Sequence, residues 1–288
     1  MIIPSGPLLT AAREAGYAVG SFNVASIDGM QAVIRAAEAE QAPVLAMIWS
    51  GVQAWMDFDA LALAVVSLAE RAAVPVAVHL DHGEDLEIVE RALGQGFSSV
   101  MFDGARHPLE ENIRLTVRAG ELAHAHEATL EAEIGEIGGE REDPTGLPDL
   151  SDRDEAVRFW KESRPDVLAV AIGSQHGRYQ NEPWLDIPRL ASIAQQVLIP
   201  LSLHGGSYTP ADQIRQAVAN GIAKINIASE LEEAFLAGAS QVDLAKARYA
   251  TDLTGVAHSA IEERVREKIR LFGSSNKAQI ASERMTER

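Results

Sequence analysis

The sequence predicts an α/β fold, a (β/α)8 TIM barrel with a C-terminal helical extension, and three observations predict it. Strand-like and helix-like stretches alternate eight times along 288 residues, a length such barrels routinely use. The strands read as continuous apolar runs, as parallel strands buried on both faces do. Polar residues collect where those runs stop, which is where barrel enzymes carry their chemistry. An open doubly wound sheet is the runner-up, but no G-x-G-x-x-G follows the first strand. The whole chain, 1–288, is expected to be one barrel domain, with 240–288 as a helical extension and polar tail.

The elements follow in order. Val19 to Val24 reads as the first strand, and Met30, Val33, Ile34 and Ala37 then share one helical face. Pro43 to Trp49 is the second strand, and Phe58, Leu61, Val65 and Leu68 mark the next helix. Pro75 to Asp81 is the third strand, with a helix over about 84–95. Ser99 to Asp103 is the fourth, and Pro108 stands in the first turn of the helix after it. Thr129 to Gly135 is the fifth strand, followed by a long polar loop from Glu136 to Leu150 and a helix over Asp152 to Glu162. Val167 to Gly173 is the sixth; Leu190, Ile193, Ala194 and Val197 mark the helix after it. Pro200 to Gly206 is the seventh strand. Thr209 caps a helix with Pro210 at its first position and Gly221 at its C-cap. Ala223 to Ser229 is the eighth, with a helix from Glu230. A last helix near Ala257 to Leu271 carries Ile261, Val265 and Ile269 as an apolar stripe. That stripe predicts a homodimer or homotetramer, or else it closes the barrel's own underside.

Composition narrows the function. The net charge of −17 argues against nucleic acid or an anionic membrane as a partner. With no cysteine, any metal must be held by His, Asp or Glu. The start Met-Ile-Ile-Pro-Ser-Gly has no secretory pattern, and no apolar run is long enough to span a bilayer. A soluble cytoplasmic protein is expected.

The strand ends carry the candidates. The third strand ends in Asp81-His82, the fourth in Asp103-Gly104, and the fifth carries Glu131 and Glu133. The sixth ends at His176-Gly177, the seventh at His204-Gly205-Gly206-Ser207, and the eighth carries Asn226 and ends at Ser229. Three neutral imidazoles with an open position form a common catalytic zinc site. The competing reading is capped loop histidines. Gly205 to Ser207 and the helix opening after Ser229 can cradle an anion through backbone N–H groups. Tight turns would explain the glycines alone. Among the other histidines, His79 reads as structural, His124 and His126 as helix-end residues, and His107 and His258 as surface residues.

Seven ordered stretches resemble the class II, metal-dependent aldolases of the fructose-bisphosphate and tagatose-bisphosphate type. They are Gly16–Asn23, His79–His82, Ser99–Gly104, Glu131–Gly139, Leu168–Gly177, Leu203–Ser207 and Lys224–Glu230. The resemblance implies Zn²⁺ held by His82, His176 and His204, with Asp103 and Glu133 near an alternative metal position. It implies that Asp81 carries the proton at the bond being broken. It assigns phosphate and substrate contacts to Gly177, Gly205, Gly206, Ser207, Asn226 and Ser229, often with a monovalent cation, Na⁺ or K⁺. The implied reaction is cleavage of a phosphorylated ketose to dihydroxyacetone phosphate and an aldehyde. The metal would act as a Lewis acid and Asp81 as general base and acid.

Several positions depart from the family pattern. The acidic pair on the loop after the fifth strand is displaced, so either Glu140 or Glu142 could handle the C3 proton. Tyr208 stands where a glycine is common, Gln180 where a lysine is, and Ala105-Arg106 replaces a Ser-His. The Pro-Arg that meets the distal phosphate is missing near Lys246 and Arg248, and Ala228 resembles the tagatose type. These changes favour a substrate other than fructose 1,6-bisphosphate; the ordinary bisphosphate is the alternative. A zinc hydrolase would want His-x-His at the first strand, where Phe22-Asn23-Val24 stands. A non-catalytic sugar-phosphate-binding relative would not need Asp81 beside three histidines.

Overall fold

The apolar runs do pair as parallel strands. In the computed structural model, which describes residues 1–137, 150–179 and 183–279, eight strands close into a barrel in sequence order. They are β1 (Val19–Asn23), β2 (Val44–Trp49), β3 (Val76–Gly83), β4 (Ser99–Phe102), β5 (Thr129–Ile134), β6 (Val167–Val170), β7 (Leu201–Leu203) and β8 (Ile222–Ile227). Helices α2 (Ile27–Ala39), α3 (Phe58–Glu70), α4 (Leu86–Gly94), α5 (Leu109–Ala125), α6 (Arg153–Ser163), α7 (Ile187–Ala194), α8 (Ala211–Ala219) and α9 (Ser229–Ser240) follow the strands in turn. Each apolar helical face turns to the sheet, as Ile88, Val89, Ala92 and Leu93 of α4 do. Ser26, Asp57, Asp85, Asp152 and Asp186 open five helices by accepting backbone N–H bonds. Such a cap is typically worth about 1 kcal/mol.

The structure departs from expectation at several elements. Helix α1 (Ser5–Ala15) precedes β1. Its Leu8, Leu9 and Ala12 pack with Val19, Leu45, Ala77, Val167 and Ala223, each the first or second residue of its strand. It therefore plugs the N-terminal mouth of the barrel. The ladders of β6 and β7 stop at Val170 and Leu203, short of Gly173 and Gly206. Ala171, Ile172 and His204 to Gly206 stay buried but leave the sheet to form the mouth. A 3₁₀ turn occupies Ser50–Ala54 after β2. Pro210, not Thr209, is the residue before α8, and Asn220 caps its end with Gly221 beyond it at φ +105°.

Helix α10 (Ala250–Phe272) begins seven residues before the expected start at Ala257. Its stripe is not an interface: Ile261, Val265 and Ile269 are buried in this chain's own core, so they close the barrel's flank. His258 is likewise buried, 6% exposed, edge-on against Phe235 rather than at the surface. Arg266 and Arg270 pair with Glu40 at 3.0 and 2.7 Å, fastening α10 to the end of α2. Among the described residues, no helix is long and apolar enough to cross a membrane.

Candidate metal and substrate site

Asp81 and His82 are neighbours on β3, and neighbours on a regular strand face opposite ways. The backbone solves this at His82, whose φ is +49°. The β3–β4 register also shifts between Leu80 and Gly83. Both side chains thereby turn to the C-terminal mouth, where they are buried. Gly83 must follow, because a Cβ there would fall 2.6 Å from the Met101 carbonyl oxygen.

His82, His176 and His204 present nitrogens that all lie within 4.8 Å of one another. His82 Nδ1 pairs with Asp103 Oδ2 at 2.8 Å, and His204 Nε2 with Glu131 Oε1 at 2.8 Å. Each carboxylate accepts the ring N–H, which fixes the tautomer as the partners of metal-bound histidines do. The remaining nitrogens, His82 Nε2 and His204 Nδ1, then face each other at 3.1 Å. Two lone pairs at that distance need a cation between them. A metal ion or a proton can fill that place. Burial pulls the His82 imidazole down, but the Asp81 charge and the Asp103 hydrogen bond outweigh it and push it up to about 10. Burial, with the His82 and His204 charges, depresses His176 to about 3. The donor set fits a divalent ion. Glu133 is buried, its Oε2 lacks a hydrogen-bond partner, and with His82 and Asp103 it forms a second group of possible ligands. Burial and the nearby Asp103 raise its carboxyl well above the usual range.

Asp81 Oδ1 accepts a 2.9 Å hydrogen bond from Asn226 Nδ2. Burial raises its pKa, but His82, His204 and Lys224 outweigh that and hold the carboxyl below its ordinary value. It is a buried acceptor at the edge of the histidine cluster.

The glycine turns lie beside that cluster. Gly205 has φ +62°, and a Cβ on it would come 2.4 Å from the Gln175 carbonyl oxygen, so the loops after β6 and β7 touch backbone to backbone. Tyr179 joins them, donating from its hydroxyl to Gly205 O at 3.0 Å and accepting from Gln175 N at 3.1 Å. Gly206 N–H donates to Asn226 O at 3.1 Å, and Tyr208 N–H to Glu230 at 2.6 Å. Gly205 and Ser207 are left as the N–H donors of this turn. Ser207 Oγ accepts from Ala228 N at 3.3 Å and from Glu230 N at 3.5 Å, and Ser229 opens α9 after Ala228, which offers no side-chain cap of its own. Gly177 lies at the exposed rim of the same cavity, whose volume is about 420 Å³.

Two groups were not legible as site residues. Lys224 is fully buried and lies 3.0 and 2.9 Å from the two oxygens of Glu131. Behind α9, Glu230 pairs with Lys268 at 2.6 Å and so ties the Tyr208 turn to α10. The period-two spacing of Glu131/Glu133 and Lys224/Asn226 was the available signal for inward-facing polar residues. Glu140, Glu142 and Gln180 lie outside the described residues.

The comparisons with known proteins agree with this geometry. The family model "Fructose-bisphosphate aldolase class-II" matches residues 5–277. The chain belongs to the class II fructose-bisphosphate aldolase family. It is 40% identical over 280 residues to a 6-phospho-5-dehydro-2-deoxy-D-gluconate aldolase of Bacillus velezensis, covering 94% of this chain and 95% of that one. It is 39% identical over 278 residues to a fructose-bisphosphate aldolase of Geobacillus stearothermophilus, covering 94% and 96%. The crystal structure of the YdjI aldolase of Escherichia coli K12 superposes with a TM-score of 0.88 at 35% identity, covering 96% of this chain and all of that one. The protein is therefore an aldolase, a carbon–carbon lyase, on a (β/α)8 barrel.

Proposed function

We propose that this chain is a zinc-dependent aldolase that cleaves a phosphorylated ketose reversibly to dihydroxyacetone phosphate and an aldehyde. The observation that carries the reading is the pair of imidazole nitrogens facing each other at 3.1 Å beside the buried Asp81 carboxylate. His82, His176 and His204 would hold the ion, and three nitrogen donors without thiolate suit Zn²⁺. Asp103 orients His82, and His82, Asp103 and Glu133 together offer the alternative ligand group. Once bound, the ion supplies Lewis-acid stabilisation of the negative charge that develops on the ketose oxygens.

The chain's own residues do the rest. Asp81 takes the C4 hydroxyl proton as the C3–C4 bond breaks, C4 becomes the aldehyde carbonyl, and the bonding pair stays with C3. In the reverse direction Asp81 returns that proton. Asn226 holds the carboxylate in place through its 2.9 Å bond. The N–H groups of Gly205 and Ser207 and the opening turn of α9 at Ser229 take the C1 phosphate, with Gly177 at the rim and a monovalent cation as companion. Gly206 serves this turn through its missing side chain: a Cβ there would fall 2.5 Å from Ile225. Glu140 or Glu142 protonates C3.

Assembly as a homodimer or homotetramer now finds its support outside the expected stripe, in exposed Leu236, Leu244, Tyr249 and Val256 around α9 and α10. The deciding experiment is a retro-aldol screen of phosphorylated ketoses that differ at C4 and at the chain end, with Zn²⁺ supplied. Release of dihydroxyacetone phosphate, abolished by a chelator, is the expected result. No release from any ketose phosphate by zinc-loaded protein would overturn the reading.

A further inference from the structure

The far half of the cavity has a chemistry of its own. Trp49 ends β2, and its ladder partner on β3 is Asp81. The indole therefore stands beside the carboxylate that handles the C4 hydroxyl, on the aldehyde side of the bond that breaks. Trp55 tilts against it, with ring centroids 5.8 Å apart and planes at 42°, and Val52 and Met56 extend the same wall.

This wall is built into the backbone. A Cβ on Gly51 would lie 2.4 Å from Trp49 Cζ2, so the indole can rest there only over a glycine. The Ser50 hydroxyl donates to the His82 carbonyl oxygen, which pins the 3₁₀ turn to the strand that carries the metal ligand. Ring, turn and ligand are one unit. Among the described residues, no lysine or arginine lines the cavity. A phosphate at the chain end would meet an aromatic surface with no cationic partner among those residues, and an unpaired desolvated charge costs affinity. A carbon chain offers C–H bonds whose positive edge suits the negative face of an indole.

We propose that the aldehyde half of the substrate carries no phosphate and lays a C–H face on Trp49. The substrate class is thus a ketose 1-monophosphate. The inference rests on the aldolase reading above and specifies what that site accepts.

The test pairs ketose 1-phosphates with the 1,ω-bisphosphates of the same carbon skeleton and stereochemistry, using zinc-loaded enzyme. Wild type should favour the monophosphate in kcat/KM by about tenfold or more, the order expected from one lost ring contact. Trp49→Ala should shrink that ratio toward one, and Trp49→Phe, which keeps a ring, should retain most of it. Gly51→Ala, which displaces the indole, should behave like Trp49→Ala; circular dichroism and zinc content confirm that each variant is folded and loaded. Equal or better use of the bisphosphate by wild type overturns the proposal, as does an unchanged ratio in folded Trp49→Ala. Deuterium exchange into dihydroxyacetone phosphate reads the aldolase chemistry without any aldehyde. Its absence in wild type would remove the aldolase reading itself.

Discussion

Replacing Lys224 with methionine should destabilise the protein severely, and the reason lies in the barrel interior. The ammonium has no exposed surface and sits 3.0 and 2.9 Å from the oxygens of Glu131. Methionine fills much of the volume but leaves the carboxylate with the His204 N–H as its one close hydrogen-bond donor. Removing one member of a buried ion pair typically costs about 3–5 kcal/mol. For a chain of this size that is a fall in Tm on the order of 10 °C. Replacing both partners, as Glu131→Leu with Lys224→Met, should recover most of the loss, since an apolar pair of similar volume is often neutral. The double variant should not recover metal affinity. His204 has then lost the acceptor that fixes its tautomer, a change worth about 10–100-fold in binding. Urea denaturation and competition with a chromogenic chelator read the two effects separately. A single Lys224→Met variant as stable as wild type would refute the argument.

Three further outcomes are expected. His82→Ala, His176→Ala and His204→Ala should each lose stoichiometric zinc by elemental analysis; full occupancy in all three would remove the site. Asp81→Asn should keep its zinc but lower turnover by about 10²–10⁴-fold, and wild-type turnover would mean that another group carries the proton. Glu40→Gln should lower Tm at neutral pH. Burial raises the Glu40 pKa, but its hydrogen bonds to Arg270, Arg266 and Ser275 prevail and hold it below the ordinary 4.5. A depressed carboxylate stabilises above its unfolded pKa and loses that contribution as pH falls through the folded one. The gap between variant and wild type should therefore narrow as pH falls below the ordinary 4.5, and a gap that stays unchanged through the acid range would contradict the assignment.

The strand and helix order was legible because period and apolar continuity report burial directly. That signal also explains the misplaced ends. Ala171 and Ile172 continue the apolar run of β6 and are buried, yet they lie outside its ladder. Hydrophobicity cannot separate a buried mouth residue from a paired one. Helix α1 carries Gly6 and Pro7 in its first turn, which weakens the helical signal ahead of Val19. The α10 stripe was seen correctly as apolar, but which surface it meets depends on tertiary packing. At the site, the strand-end histidines and Asp81 were accessible from order and spacing. The Glu131–Lys224 pair joins residues 93 apart, and the Trp49 wall depends on one close approach over Gly51. Neither follows without the register of the closed sheet.

The left-handed backbone at His82 bears on any attempt to transplant this chemistry. A designer who copied Asp81 and His82 onto the end of an ordinary strand in another barrel would obtain one residue in the mouth and the other among the helices. The donor of the graft is thus a conformation as well as a pair of side chains. It includes the φ of +49°, the register shift before Gly83 and the missing Cβ beneath Met101. Histidine in that region costs roughly 1–2 kcal/mol against an extended residue. A recipient scaffold must carry that strain before the ion arrives. Scaffolds with stability to spare, or with a bulge already at that rim, are the ones to choose.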